Sequence, residues 1–223
     1  MRFLPVLILT ALASAQIVPR PSIRVSGEGS VTAIPDQASI SVGVVNQAPT
    51  AEQATDENAQ KVTNVIAEVR KVIGGAGQVQ TVSYSLSPVY TTPRDGSQPM
   101  IVGYTASNTV EVTSDLTVTG KVIDAATRAG ANRVYGLTFG LKDPAPAQGE
   151  ALKRAAQRAR QEADAIAAGL NVRTGNVLSA AEAGASTPIL ARTLVAGAAA
   201  STPVEPGLVS SRATVTIEVE ILQ

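Results

Sequence analysis

Apolar and polar residues alternate with a period of two from Val25 to Val45, with Ala38, Ile40, Val42 and Val44 on one face and Ser39, Ser41 and Gly43 on the other. Gly27 and Gly29 flank Glu28 early in this run and Pro35-Asp36 interrupts it, so a bulge or break is expected to divide it into two strand pieces. The period then changes to that of a helix. Thr50 with Gln53 three residues on has the form of a capping box, and Glu52, Asp56 and Glu57 stand near the positive end of the dipole. Val62, Val65, Ile66, Val69 and Ile73 recur at helical spacing as one apolar stripe, and Gly74-Gly75 closes the segment just after Arg70 and Lys71.

Val79 to Tyr90 and Ile101 to Thr113 return to strand alternation, and the turn-forming residues Pro93, Asp95-Gly96 and Pro99 between them predict a hairpin. A shorter helix follows from about Leu116 to Ala129, closed by Gly130. The order then recurs: strand Arg133 to Leu141, helix from about Pro144 to Ala168, strand Asn176 to Glu182, strand Ser211 to Leu222. The expected fold class is α+β: two βαββ units, about 24–113 and 133–222, joined by a linking helix at about 116–129, with mainly antiparallel sheets packed against long helices. In the long helix, Leu152, Ala155, Ala156, Ala159, Ala163, Ile166, Ala167 and Leu170 are expected to form the buried face. Ala183 to Val209 is rich in Ala, Ser, Thr, Pro and Gly, and a connection of that length is either functional or disordered.

The first residues read as a secretory signal: Arg2, an apolar run from Phe3 to Leu12, then Ala13-Ser14-Ala15, with cleavage expected between Ala15 and Gln16. The apolar run falls short of the roughly twenty residues a spanning helix needs, so residues 1–15 are expected to be removed and 16–223 to form the mature domain. With Cys 0 the chain has no site for lipid attachment at that point and no disulfide framework, so its core must be of ordinary size. Aromatic residues make up 3% and Trp is 0, which leaves aliphatic side chains and alanine to fill that core.

Lys+Arg 18 balance Asp+Glu 18, so nothing marks a nucleic-acid partner. Lys153, Arg154, Arg158 and Arg160 form a basic cluster, but Glu150 with Arg154, Arg158 with Glu162 and Arg160 with Asp164 are each four apart, the spacing of a salt-bridged solvated face. His 0 and Cys 0 remove the usual general base, the thiol nucleophile and nearly every zinc, copper, haem or iron–sulfur ligand set; no cofactor, metal or catalytic residue is expected. Gly74-Gly75-Ala76-Gly77 follows a helix instead of opening one, and Thr119-Gly120-Lys121 lacks the upstream glycines, so neither is a phosphate loop. Two candidate functional carboxylates remain, Glu28 between its glycines and Asp36 a few residues on. The competing reading makes the first part of a strand bulge and the second a turn cap.

Val25-Ser26-Gly27-Glu28-Gly29 followed by Pro35-Asp36, then Asp124-Ala125-Ala126 through Ala129-Gly130-Ala131-Asn132, the alanine-spaced helix, Thr202-Pro203-Val204-Glu205-Pro206-Gly207 and the final alternating strand together resemble the SIMPL-domain family of bacterial periplasmic proteins. The resemblance covers nearly all of the mature chain in the right order. It implies an α+β domain in the periplasm or cell envelope, a likeness to members linked to oxidative-stress defence, and a likeness to an immunogenic periplasmic member that forms a large homo-oligomer. It implies no known catalytic residues. Two functions are therefore expected: a non-catalytic envelope protein acting by homo-oligomeric assembly through exposed sheet edges and the 183–209 segment, or a ligand-binding or adaptor module for an envelope partner.

Overall fold

The computed structural model describes residues 20–91, 98–183, 189–191 and 202–223. The expected signal and its Ala15–Gln16 cleavage point, and most of the 183–209 segment, lie outside the described residues. The elements run β1 (Ser22–Ala33), β2 (Gln37–Ala48), α1 (Ala51–Ile73), β3 (Gln78–Tyr90), β4 (Ile101–Asp115), α2 (Thr119–Arg128), β5 (Arg133–Gly140), α3 (Ala145–Gly169), β6 (Arg173–Glu182), β7 (Ile189–Ala191) and β8 (Leu208–Leu222). The fold is α+β with antiparallel pairing throughout. One sheet has the order β3-β4-β2-β5; the other has the order β1-β8-β6, with β7 also on β8.

Strand–helix–strand–strand does recur along the chain, but the strands are shared between the sheets. β2-α1-β3-β4 builds the order β3-β4-β2, and the matching place beside β8 is taken by β1, while β5 lies on the far side of β2. Asn132 directs β5 there: its Oδ1 accepts from the Val45 amide at 2.9 Å and its Nδ2 donates to the Val45 carbonyl at 2.6 Å, so β5 starts against β2. Residues 37–140 thus form one continuous module, with α1 and α2 on its sheet, set into a second module made of β1 and of residues 145–222.

The first module has an aliphatic core. Ile40, Val42 and Val44 of β2, Val110 and Val112 of β4, and Val62, Val65, Val69 and Ile73 of α1 pack with Val122 and Ala126 of α2. The Thr50 hydroxyl accepts from the Gln53 amide at 3.2 Å, so the helix begins where its cap predicts. One polar residue sits inside this stripe. Asn58 is fully buried, and its Nδ2 donates to the Val44 carbonyl at 3.0 Å and to Asn46 Oδ1 at 2.9 Å, which fixes how far along β2 the helix can slide.

The second module is packed more closely. Ala151, Ala155, Ala159, Ala163 and Ala167, every fourth residue of α3, are buried against Ile23 and Val25 of β1 and Val215, Ile217 and Val219 of β8. At Gly27 an added Cβ would lie 2.3 Å from the Ala155 carbonyl oxygen and 2.3 Å from the Ala159 nitrogen, and at Gly29 it would lie 2.1 Å from the Ala151 carbonyl oxygen. The glycines therefore let helix backbone rest on strand backbone. This corrects the expected bulge at Gly27–Gly29: the β1–β8 register is continuous from Ser22↔Glu220 to Ala33↔Val209, and the interruption falls at Ile34-Pro35-Asp36. It also narrows the expected helix face, because Ala156 is exposed and Ile166 and Leu170 are 39% and 61% exposed; only the residues on the four-residue ridge meet the glycine floor.

Gly27→Val is expected to destabilise the protein by about 1–3 kcal/mol or more through overpacking against rigid backbone, read as a lower urea midpoint at unchanged slope. Ser26→Val, on the opposite face of the same strand, is expected to stay within about 0.5 kcal/mol of the parent.

Candidate functional site

The two candidate carboxylates do not come together. Glu28 is exposed in the middle of β1, and about 17 Å of extended strand separates it from the strand's end. It borders a shallow groove of about 410 Å³ whose lining includes Ser30, Arg154, Gln157, Arg158 and Gln161. Asp36 sits at the crossing between modules. Its amide donates to the Gly140 carbonyl at 3.1 Å, its carbonyl accepts from the Leu116 amide at 3.4 Å, and its Oδ1 accepts from the Lys142 amide at 2.8 Å. The chain passes between modules twice, at 34–36 and at 141–144, and Asp36 ties the two crossings to each other. Lys142 Nζ pairs with Asp115, and that hydrogen bond raises the lysine above its ordinary value of 10.5 against the opposing effect of desolvation, helped by the nearby Asp115 and Asp36 charges. Among the described residues no group of three His, Cys, Asp or Glu side chains stands close enough to hold a metal ion.

The basic cluster on α3 resolves into edge protection. Arg154 pairs with Glu150 at 3.1 Å and donates through Nη1 to the Ser30 carbonyl on β1 at 3.0 Å. Arg160 pairs with Asp164 at 3.1 Å and donates through Nη1 to the Gly175 carbonyl on β6 at 3.1 Å. One helix thus covers part of both outer strands of its sheet. The expected Arg158–Glu162 pair is not among the ion pairs of the described residues.

Among the described residues no such covering protects β3. α1 packs chiefly on β4 and β2, so the helix-side face of β3 is bare: Val82, Tyr84, Leu86 and Tyr90 are 47%, 52%, 40% and 54% exposed. Residues 78–90 hold no charge, and the edge is interrupted by register shifts between Thr81 and Ser83 and between Val89 and Tyr90 and by Pro88. On the other face Ser83, Ser85 and Ser87 stand opposite Thr109, Ser107 and Thr105 of β4, and that face has no helix over it. The alternation in β3 was legible in the sequence. That its apolar side would stay uncovered was not, because this depends on where α1 crosses the sheet.

The described residues thus make a helix-backed α+β protein of two antiparallel sheets whose strands interleave along the chain. The comparisons with known proteins give its family. Residues 23–219 match the SIMPL family, described as "Protein of unknown function (DUF541)", and this chain belongs to that family. It is 31% identical over 172 residues to the 26 kDa periplasmic immunogenic protein of Brucella melitensis, which covers 75% of this chain and 69% of that protein. It is also similar to proteins named YggE, at 26% identity over 170 residues for Edwardsiella ictaluri (76% of this chain, 71% of the relative) and 29% over 163 residues for Escherichia coli K12 (71% and 64%).

Asp36→Ala is expected to lower stability by about 1 kcal/mol through loss of the Lys142 amide bond, whereas Glu28→Gln is expected to leave it unchanged; chemical denaturation of both variants checks this. Because the Lys142 amine is raised when folded, its contribution is present below the ordinary lysine value and is lost as pH climbs through the folded value. The stability gap between the parent and Lys142→Met should accordingly be constant near neutral pH and close above about pH 10.5, as measured by urea melts across that range.

Proposed function

We propose that this protein is an exported, non-catalytic component of the cell envelope that works by assembling with copies of itself and contributes to envelope protection, including under oxidative stress. The bare, charge-free edge and apolar face of β3 carry this reading, since such an edge is a template for pairing and is normally covered in a working protein. Export is supported by the signal-like start at residues 1–15 and by the periplasmic name of the Brucella relative. No helix among the described residues is long and apolar enough to cross a membrane. With neither histidine nor cysteine, any protective action against oxidants is indirect, through a partner or through coverage of the envelope.

Light scattering on the purified protein is expected to give a mass several times that of one chain, and Tyr84→Lys with Leu86→Lys is expected to reduce it. A monomer at micromolar concentration, or an assembly indifferent to both substitutions, would overturn the reading.

A further inference from the structure

The groove between α3 and β1 opens along a strand edge whose main chain is turned outward. The Pro21 carbonyl accepts from the Ile221 amide of β8 at 2.9 Å, whereas the Ser30 carbonyl accepts from Arg154 Nη1 at 3.0 Å. Successive residues of a strand direct their amides and carbonyls to opposite sides, and the β1–β8 register is unbroken from Ser22 to Ala33. Arg24, Ser26, Glu28 and Ser30 therefore all present their main chain away from β8. Among the described residues no strand lies on that side, because β1 ends its sheet. Arg154 takes the Ser30 carbonyl, and the groove of about 410 Å³ begins there and at Glu28.

The wall of the groove is one flank of α3: Arg154, Gln157, Arg158 and Gln161, spaced so that they share a side of the helix. The helix runs antiparallel to the strand beneath it, since an added Cβ at Gly29 would meet Ala151 and Ala155, and one at Gly27 would meet Ala155 and Ala159. Four helical residues rise about 6 Å and two strand residues about 6.6 Å, so Arg154 and Arg158 recur at the spacing of alternate side chains on a strand laid along this edge. Both charges on this wall are positive. Glu28 belongs to the opposite face of β1, because the neighbouring Gly27 and Gly29 are the residues that meet the helix. Arg154 is paired with Glu150, while Arg158 is exposed and has no ion pair among those of the described residues.

We propose that this groove takes an extended acidic segment of a partner polypeptide as an added strand on β1, its main chain pairing with Arg24, Ser26 and Glu28 and an acidic side chain on the helix-facing side meeting Arg158. The position of α3 decides against a second copy of this chain in the same antiparallel arrangement. That copy would set its own α3 over its own β1, about one strand spacing of 5 Å away, where packed helices stand about 8–10 Å apart. The edge has room for a strand that carries no helix on this face. Positive charge on the wall selects acid at alternate positions of that strand, and Gln157 and Gln161 can donate to or accept from the polar side chains beside it. This surface is separate from the β3 edge on the other sheet, so it does not rest on self-assembly.

The test is fluorescence anisotropy of a labelled peptide, Ser-Thr-Glu-Thr-Glu-Thr-Ser, titrated with the purified protein. Saturable binding is expected, with none for the peptide in which both glutamates are lysine. Two backbone-blocked versions, N-methylated on all three threonines or on both glutamates, keep the charge but each removes alternate amides; one of the two must lose binding. Arg158→Gln, at an exposed position, should weaken binding about fivefold, and Tyr84→Lys with Leu86→Lys should leave it unchanged, which separates this site from the assembly surface. Absence of binding, equal binding of the lysine peptide, full binding by both N-methylated peptides, or undiminished binding by a folded Arg158→Gln protein would overturn the proposal. The peptide series decides the matter even where circular dichroism shows that the Arg158→Gln chain has not folded.

Discussion

The structure depends on the approach of α3 to β1, where main chain meets main chain because both partners have given up side-chain bulk. Alanine at every fourth position of the helix and glycine at positions 27 and 29 of the strand leave no room for a Cβ on the strand side. Each alanine buries little area, so this interface holds through density of contact and not through large hydrophobic surfaces. In a chain without disulfides, whose aromatic share is only 3%, that is the available means of fastening a first strand to a distant helix. It also explains why β1, and not β5, lies beside β8: β5 offers no comparable floor, and Asn132 has already committed it to β2.

The two sheets treat their outer strands differently. Arginines from α3 reach both edges of the second sheet, whereas the first sheet leaves β3 with an apolar face turned outward and hydroxyls on the reverse. One sheet is thus largely self-sufficient and the other presents two surfaces of opposite chemistry, an apolar side and a hydroxyl side.

Local signals were legible where they are set by near neighbours. The Thr50 cap, the α1 stripe, the β3–β4 strands and the alternation in the last strand are all written in short-range periodicity, and each appears close to its expected bounds. Strand exchange was not legible, because period-two alternation says which face a residue takes and nothing about which strand lies beside it. The glycine pair at 27 and 29 was visible as an anomaly, but its cause is a helix more than a hundred residues away. Asn58 carried a signal that could have been used: it falls in register with Ala54 and Val62 on the buried stripe, where an amide needs partners from across the core.

The way the first module is set into the second has a mechanical consequence. Ser22 is paired with Glu220, so the two ends of the folded region emerge side by side, and tension applied to them would peel β1 from β8 one pair at a time instead of shearing the whole ladder at once. The inserted module would bear no load until that zipper had run its length to Ala33, because its entry and exit are fastened at a single point by Asp36. A protein tethered by its termini would therefore yield first in the helix-clamped sheet, and the surfaces of the other sheet would keep their shape while it did.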